Sequence, residues 1–397
     1  MNISFLLNVL FAKFTFKQKN EWLFTSFSGD YSDSPKVISE LLHQKHPEIN
    51  IKWILKDGVK DVPDYVVKVK LGTMEADKAR HSASVSVDNI YGENAFSTAP
   101  SIFNKLRVCI LLWLRKSKGQ KIYSTWHGIP LKRLGRDEVI SNLDSFISND
   151  VTMFVNSKFE EDVMRHVTFD KIKMFRLGMP RNDVLFDPEK ATEIRFKLGI
   201  KEETKILLYA PTFRRDPGGI TEDNLRMSGL AQLDNIDFGQ LKQCLTVKFG
   251  GEWVFVFRLH SQVSEKVNWD ELSVKTKGAV INGNLFSDMA EYLACADILV
   301  TDASSCMFDF MLTRRPCFLL FPDVEHYQNS ERGFYMPVES LPFPRAKSAG
   351  ELLEEIVNVD EIKYRECVQS LINEMEIIDD GKSGERVLDA ILNDVGI

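Results

Sequence analysis

Small polar residues follow an apolar segment that has the pattern of a buried strand. The predicted strand ends at Thr301 and Asp302, and the turn Ala303-Ser304-Ser305 leads directly into an amphipathic helix. Unpaired backbone N–H groups and a partial positive charge at a helix N-terminus favour binding of a phosphate. Taken alone, the segment is explained equally well by Ser304 acting only as a helix cap.

A histidine lies on a second predicted turn at a strand end. His127 is followed by Gly128 and Pro130, and then by Lys132 and Arg133. A histidine in this position can act as a general base near neutral pH. The two cations that follow it could hold an anionic acceptor or a phosphate. The alternative is a loop histidine that makes only a structural hydrogen bond.

Two further cationic residues lie at the end of a strand predicted over 253–260. Arg258 and His260 are two positions apart, so both point to the same side of an extended strand. Cationic donors that converge at a strand end suit a pyrophosphate. A structural ion pair is the alternative for Arg258.

Polar residues also follow three other predicted strands. The candidates among them are Thr212, Arg214, Arg181, Asp183, Glu325 and Arg332. Cations and small hydrogen-bond donors outnumber carboxylates at these strand ends, which indicates a phosphorylated ligand. No DxD-like cluster occurs at a strand end, so the sequence does not demand a metal. No GxGxxG or Walker sequence occurs either.

The elements that position these residues are strands alternating with helices, the pattern of a parallel sheet covered on both faces. Seven strands are predicted in the first half, over 22–27, 49–55, 65–69, 83–89, 121–127, 153–157 and 173–178. After a polar segment at 186–204, five more are predicted, over 205–212, 253–260, 279–282, 297–302 and 317–321. Two doubly wound α/β domains, 1–187 and 188–397, are therefore expected, with a ligand cleft between them.

Composition excludes some classes of protein. The net charge is −7, which argues against nucleic-acid binding, and hydrophobic residues make up 44% of the chain, which is typical of a globular protein. The six cysteines are scattered without zinc-ligand spacing, as expected for buried residues in a reducing compartment. The apolar stretch within residues 1–20 is too short to span a membrane and predicts an amphipathic or buried helix.

Six segments, in order, resemble the CDP-glycerol glycerophosphotransferase family, whose members make teichoic acids and related phosphopolyol capsule polymers. The segments are WHGIPLKRLG, LGMPRNDVLF, ILLYAPTFR, FRLH, DILVTDASSCMFDF and DVEHY…ERGFY. The resemblance runs from about residue 22 to the end of the chain. The chain departs from the family pattern at Ile129, Phe213, Ser261 and Ala303. Ile129 and Ala303 are expected to alter the shape of the acceptor or polyol pocket.

The resemblance implies a GT-B architecture of two facing Rossmann-like domains. The first would bind the acceptor and the second the donor, and the last helix would pack back on the first domain. It also implies that His127 activates the acceptor hydroxyl, which attacks the donor phosphorus bearing the polyol, so that CMP leaves. No metal or cofactor is implied beyond the substrate, CDP-glycerol or CDP-ribitol.

The candidate residues divide between the two substrates. His127 and His260 are the catalytic candidates. The donor-binding candidates are Arg258, Thr301, Asp302, Ser304, Ser305, Thr212, Arg214, Arg332 and Glu325. The acceptor-binding candidates are Lys132, Arg133, Arg181 and Asp183. Asp302 is expected to order the turn rather than to take part in the chemistry.

The family implies work at the cytoplasmic face of the membrane on lipid-linked or polymeric acceptors. The segment 102–121 is apolar with basic residues spread along it, which suits a helix lying on anionic lipid. A core helix with solvated basic ends fits equally well. Two other functions stay open, a GT-B glycosyltransferase that uses a nucleotide sugar and a non-catalytic polymer-binding or scaffold protein. The sequence does not choose between glycerol and ribitol, nor does it give the oligomeric state.

Overall fold

The computed structural model describes most of the chain. The described residues are 18–27, 29–90, 119–134, 137, 151–168, 172–212, 236–259, 261–265, 267–276, 278–285, 288–328 and 333–397. Five predictions fall on residues outside these ranges: the helix at the N-terminus, nearly all of the basic segment 102–121, and the roles of Arg214, His260 and Arg332.

The first domain contains a seven-stranded parallel sheet. Its strands are β1 (Gln18–Phe24), β2 (Asn50–Leu55), β3 (Val67–Lys70), β4 (Ala83–Asp88), β5 (Lys121–Ser124), β6 (Thr152–Val155) and β7 (Lys173–Arg176). They are ordered β3-β2-β1-β4-β5-β6-β7. The described helices of this domain are α1 (Asp33–Lys45), α2 (Met74–Ser82) and α3 (Lys158–Val167).

The second domain repeats the same winding around a six-stranded parallel sheet. Its strands are β8 (Thr204–Ala210), β9 (Glu252–Phe257), β10 (Val280–Asn282), β11 (Ile298–Thr301), β12 (Cys317–Leu320) and β13 (Arg345–Ala346), ordered β10-β9-β8-β11-β12-β13. Two doubly wound parallel sheets confirm the predicted fold class. All twelve predicted strands are present, and within the described ranges β13, only two residues long, is one more.

Helices connect the two sheets and complete the second domain. The chain passes between the sheets through a 3₁₀ helix (Pro180–Phe186) and α4 (Pro188–Lys197). The next helices are α5 (Phe238–Phe249), α6 (Trp269–Lys275), α7 (Met289–Cys295) and α8 (Cys306–Phe310). Shorter helical turns lie at Ser261–Ser264, Met311–Thr313, Val324–His326 and Val338–Ser340. The chain ends with α9 (Ala349–Asn358), α10 (Glu361–Glu374) and α11 (Ser383–Val395).

The last helix packs on the first domain. The buried residues of α11 include Val387, Leu388, Ile391 and Leu392, whose three- and four-residue spacing forms one apolar face. These residues belong to the core that contains Trp22 of β1, and α11 lies against α1. The C-terminal segment therefore crosses back and ties the two domains together.

The central strands are apolar because helices and loops cover both faces of each sheet. Every residue of β11 and of β12 is buried, as expected for the interior of a parallel α/β sheet. In such a sheet, ligands bind beyond the carboxyl ends of the strands, at the point where the strand order reverses. These reversal points lie between β1 and β4 and between β8 and β11.

Candidate active site

A cavity of about 1890 Å³ lies between the two domains. Its wall from the first domain includes Asp30, Lys36 and Lys56, and its wall from the second includes Arg258 and Ser304. The two domains face each other across this cavity, so the carboxyl ends of both sheets contribute to one site.

The turn after β11 lies at the strand-order reversal of the second sheet. Asp302 accepts a hydrogen bond from the Thr212 N–H (2.8 Å), and the Thr301 hydroxyl donates to the Ala210 carbonyl (2.6 Å). These two bonds join the end of β11 to the segment after β8. Asp302 therefore orders the turn, as expected from the sequence, and it holds the Thr212 backbone in the same position.

Thr301 lies beneath the turn. Its side chain is fully buried, and its hydroxyl donates a hydrogen bond to the Ala210 carbonyl. Contact of Thr301 with a donor stays a prediction. Its contribution is to fix the turn that carries Ser304 and Ser305.

Ser304 and Ser305 have different surroundings. The Ser304 Oγ accepts from the Cys306 N–H at 3.4 Å, a long capping contact, and this residue lines the cavity. Ser305 precedes α8 and makes no capping hydrogen bond through its side chain. Capping and exposure to the cavity therefore occur together at Ser304, so the two interpretations of this turn do not exclude each other.

Arg258 is held at the end of β9 and lines the same cavity. Its Nη1 donates to the Gly283 carbonyl (3.0 Å), and its guanidinium carbon lies 4.9 Å from the centre of the Tyr292 ring. Burial lowers the pKa of Arg258, against the opposing effects of Tyr292 and Asp288. A largely desolvated guanidinium interacts more strongly with an anion than an exposed one does.

The loop beyond β9 is fixed by an asparagine that the sequence analysis did not single out. The Asn284 side chain accepts from the Leu259 N–H (3.1 Å) and donates to the Leu259 carbonyl (2.6 Å). Asn284 also lines the cavity. Asn284 lies two residues after β10. Because neighbouring strands of a parallel sheet end at the same edge, this position could have identified Asn284 as a site residue from the sequence.

His127 lies three residues beyond β5, and its ring orientation is set by a backbone carbonyl. The Nδ1 atom is 2.8 Å from the carbonyl oxygen of Asn89, which follows β4. Because a carbonyl oxygen only accepts, Nδ1 carries the hydrogen, and in the neutral imidazole Nε2 is the nitrogen that can take up a proton. Asn89 is a second residue that the sequence analysis missed, although it ends a predicted strand.

Gly128 brings the histidine loop against the turn of the second domain. Its φ is +131°, and a Cβ added there would lie 2.8 Å from Arg181 Nη2 and 3.0 Å from Ser305 Oγ. Only glycine fits such a backbone at this distance. The residue next to His127 is therefore in close contact with the predicted phosphate-binding turn.

Lys132 and Arg133 lie where the two domains meet. Lys132 forms an isolated antiparallel bridge with Phe334, and the Arg133 N–H donates to the Gly333 carbonyl (3.1 Å). The Arg133 Nε also donates to the Phe334 carbonyl at 3.3 Å. The segment after His127 thus crosses onto the second domain, and the acceptor-binding roles of these two cations stay predictions.

Arg181 occupies a buried position between the domains. Its guanidinium donates at 2.7 Å both to Asp33, at the start of α1, and to Asp309 of α8. Burial alone would lower the pKa of Arg181, but Asp309 and Asp33 raise it above its usual value. Burial raises the pKa of Asp309 to about 6, against the attraction of Arg181. The geometry thus gives Arg181 a role in joining the domains. Arg181 also lines the cavity, and its contact with an acceptor stays a prediction.

Asp183 and Glu325 both have partners within the protein, and their binding roles stay predictions. Both carboxylate oxygens of Asp183 accept backbone N–H groups at the start of α11, from Ser383 (2.9 Å) and Gly384 (2.7 Å). Glu325 is 82% exposed and pairs with Lys347 on the surface (3.1 Å). Asp183 therefore caps a helix at the edge of the cavity, and Glu325 lies outside the residues that line it.

The structure places Ile129 and Ala303 behind the cavity wall, and their expected effect on the shape of a ligand pocket stays a prediction. Both side chains are fully buried in the core of the second domain. A side chain with no accessible surface cannot touch a bound polyol or acceptor. Any influence of these two residues on specificity must pass through the position of the backbone around them.

Among the residues that the structure describes, no group of three or more His, Cys, Asp or Glu side chains is arranged to hold a metal ion. No helix within the described ranges is long and apolar enough to cross a membrane.

Two facing Rossmann-like sheets with the site between their carboxyl edges define a GT-B fold. The chain belongs to the CDP-Glycerol:Poly(glycerophosphate) glycerophosphotransferase family, which matches residues 7–393. This membership confirms the resemblance that the six sequence segments indicated.

Named relatives agree with this assignment. The chain is 29% identical over 395 residues to the teichoic acid poly(glycerol phosphate) polymerase of Staphylococcus epidermidis, covering 94% of this chain and 50% of that protein. It is 29% identical to the teichoic acid glycerol-phosphate transferase of Staphylococcus aureus, covering 94% of this chain and 93% of that one. The chain spans about half the length of the first curated relatives it matches.

A solved structure agrees as well. A variant of the wall teichoic acid polymerase TagF, soaked with CDPG for 15 minutes, superposes with a TM-score of 0.77 at 26% identity. The match covers 99% of this chain and 94% of that chain. The similarity therefore includes both domains and their arrangement.

Proposed function

We propose that this protein transfers a polyol phosphate from a CDP-activated donor to a hydroxyl of a lipid-linked or polymeric acceptor and releases CMP. The reaction would serve teichoic acid or capsule-type polymer synthesis. Family membership across residues 7–393 supports the activity. The observation that carries the proposal is the contact of Gly128 with Ser305, which brings the His127 loop to the phosphate-binding turn of the other domain.

In the proposed reaction, the chain acts by positioning groups and by stabilising charge. His127 Nε2 takes the proton of the acceptor hydroxyl, whose oxygen then attacks the phosphorus that bears the polyol. The bond from that phosphorus to the bridging oxygen breaks, and CMP leaves with the electron pair. Arg258 and the Ser304–Ser305 turn hold the pyrophosphate and offset its developing charge. His260 is proposed to assist there.

Glycerol phosphate is the polyol phosphate we propose first. The relatives from both Staphylococcus species carry glycerol phosphate in their names. The TagF structure was soaked with CDPG, and it matches both domains of this chain. Ribitol phosphate is the second candidate.

We also propose that the enzyme works at the cytoplasmic face of the membrane, bound peripherally to anionic lipid. The support is the sequence of segment 102–121, whose Lys and Arg residues are spread along an apolar stretch. A cationic segment of this kind gains roughly 1 kcal/mol for each basic residue near an anionic surface.

The test is a comparison of donors. The protein is incubated with CDP-glycerol, CDP-ribitol, CMP-sialic acid and a UDP-sugar, each with a lipid-linked glycerol phosphate acceptor, and nucleotide release is measured. We expect CMP from a CDP-polyol, with CDP-glycerol the better donor, and the rate should persist in EDTA. Release from a nucleotide sugar alone would identify a glycosyltransferase. Absence of turnover with every donor would favour a non-catalytic polymer-binding protein.

Substitution of Gly128 tests whether the contact between the domains matters for transfer. Gly128→Ala is expected to slow CMP release by about tenfold or more, since the new methyl group pushes the His127 loop away from Ser305. It should also destabilise the protein by about 1–3 kcal/mol through overpacking.

Gly199→Ala is the matched control, because Gly199 also has a positive φ (+69°) but a Cβ there would meet no atom within 4 Å. It should cost about 1 kcal/mol of stability and leave the transfer rate unchanged. Equal rates in the two variants would show that the contact at Gly128 does not influence the reaction. Stability is followed by thermal unfolding and the rate by CMP release.

A further inference from the structure

Phe27 lies at the strand-order reversal of the first sheet in an unfavourable backbone conformation. It follows β1 and has a φ of +40°, where bulky residues are rare. Phe27 is 41% exposed, so burial of its ring contributes less free energy to folding than full burial would. Strain of this kind persists only where the surroundings impose it, and it is concentrated at functional sites.

One buried asparagine holds both Phe27 and His127. The Asn89 side chain accepts from the Phe27 N–H (3.1 Å) and donates to the Ser26 hydroxyl (3.1 Å). The Asn89 carbonyl is the group that receives the hydrogen bond from His127 Nδ1 (2.8 Å). Asn89 itself is fully buried. The strained residue and the imidazole are therefore fixed to the same support.

The Phe27 ring also contacts the imidazole directly. The ring centres of Phe27 and His127 are 5.9 Å apart, with the planes at 66°. The Trp126 ring lies 4.1 Å from the imidazole, and Trp126 also has a positive φ (+52°). Two aromatic rings on left-handed backbone thus restrict the rotation of His127 about its side-chain bonds.

We infer that Phe27 is a positioning residue, which holds the His127 imidazole in the orientation needed to take the acceptor proton. The inference rests on the proposed function. Phe27 acts through His127 rather than on the reacting atoms. A small rotation of the His127 imidazole away from the acceptor hydroxyl slows proton transfer strongly, since reaction requires aligned atoms.

Removal of the Phe27 ring is expected to lower the transfer rate without lowering stability, and the test measures both. Phe27→Gly removes the ring and relieves the positive φ, so its midpoint of thermal unfolding should equal or exceed that of the wild type. Its kcat should fall about tenfold or more, while the KM for CDP-glycerol stays within about twofold. Phe27→Tyr, which keeps the ring, should retain kcat.

Glu376→Gly is the matched control for the backbone effect. Glu376 has a φ of +49° and follows α10, where it is exposed and pairs with Arg176 on the surface. This variant should have an unchanged kcat. Wild-type kcat in Phe27→Gly would overturn the inference. A fall in kcat together with a lower unfolding midpoint, unrestored in Phe27→Tyr, would also overturn it and assign Phe27 a structural role.

A measurement without substrate separates this inference from the proposed function. In ¹⁵N-histidine-labelled protein, with the signal assigned by His127→Gln, wild-type His127 should show one neutral tautomer with the hydrogen on Nδ1. Phe27→Gly should show a mixture of tautomers. An unchanged signal would overturn the inference. If no CDP-polyol is turned over, the proposed function fails, and this spectrum still decides the role of Phe27.

Discussion

Replacement of His127 by alanine is expected to reduce CMP release by about 10²–10⁴-fold, the usual contribution of a general base. The hydrogen bond from Nδ1 to the Asn89 carbonyl leaves Nε2 to take up the acceptor proton in the neutral ring. Alanine offers no group that can do so. The acceptor hydroxyl must then attack without being deprotonated, which raises the barrier of the chemical step.

Donor binding should be largely retained in His127→Ala. The groups proposed to hold the donor, Arg258 and Ser304, belong to the second domain, and both line the cavity. His127 belongs to the first domain, and the loop at Gly128 lies against the donor turn. The Kd for CDP-glycerol, measured by calorimetry, should therefore change less than about threefold, since none of the proposed donor contacts is removed.

His46→Ala is the matched control for His127→Ala. His46 lies just beyond α1 and pairs with Glu48 at the surface (3.1 Å). Its replacement should leave CMP release unchanged. Full activity in His127→Ala would exclude this residue as the base. Loss of donor binding in parallel with activity would instead indicate that His127 contributes mainly to the donor site.

The central strands of the second sheet could be predicted from sequence because they are buried along their whole length. The strands β11 and β12 correspond to the mostly apolar runs ILVT and CFLL, and such runs predict buried strands. The helix α2 gives a weaker signal, because its buried positions are Ala76, Ala79 and His81, which form only a weak apolar stripe. With two residues, β13 is too short to show any periodicity.

The positions of Ser304, Arg258 and His127 could be anticipated because parallel strands end at one edge of a sheet. The hydrogen-bond and ion-pair partners of the polar side chains could not be anticipated. Arg181 pairs with Asp33 and Asp309, which are 148 and 128 residues away, and nothing local indicates either contact. The Thr301 hydroxyl donates to a carbonyl of a neighbouring strand, and nothing local in the sequence indicates that hydrogen bond either.

The largest expected effect on stability is that of Arg181→Ala. Removal of the guanidinium leaves the carboxylates of Asp33 and Asp309 buried without the cation that each now contacts at 2.7 Å. Breaking a buried pair by removing one partner typically costs about 3–5 kcal/mol. Arg176→Ala is the control, because Arg176 forms ion pairs that are more exposed, with Glu161 and Glu376. It should cost less than about 1 kcal/mol.

The loss in Arg181→Ala should depend on pH, with a sign set by Asp309. Burial already raises its pKa to about 6, above the value of roughly 3.9 in an unfolded chain. A carboxyl with a raised pKa in the folded state loses stability as pH increases between these two values. Without Arg181 the pKa of Asp309 rises further, so this window extends to higher pH. The variant should therefore be destabilised more at pH 8 than at pH 5.

Denaturant unfolding of Arg181→Ala and wild type at both pH values measures this difference. Arg181→Ala should also transfer more slowly, since Arg181 Nη2 lies beside Gly128 and helps to hold the His127 loop against the second domain. A destabilisation that is the same at pH 5 and pH 8 would show that lost packing, rather than the unpaired carboxylates, causes the effect. A wild-type transfer rate would show that the ion pairs stabilise the fold without positioning the site, because the two domains would then meet correctly in their absence.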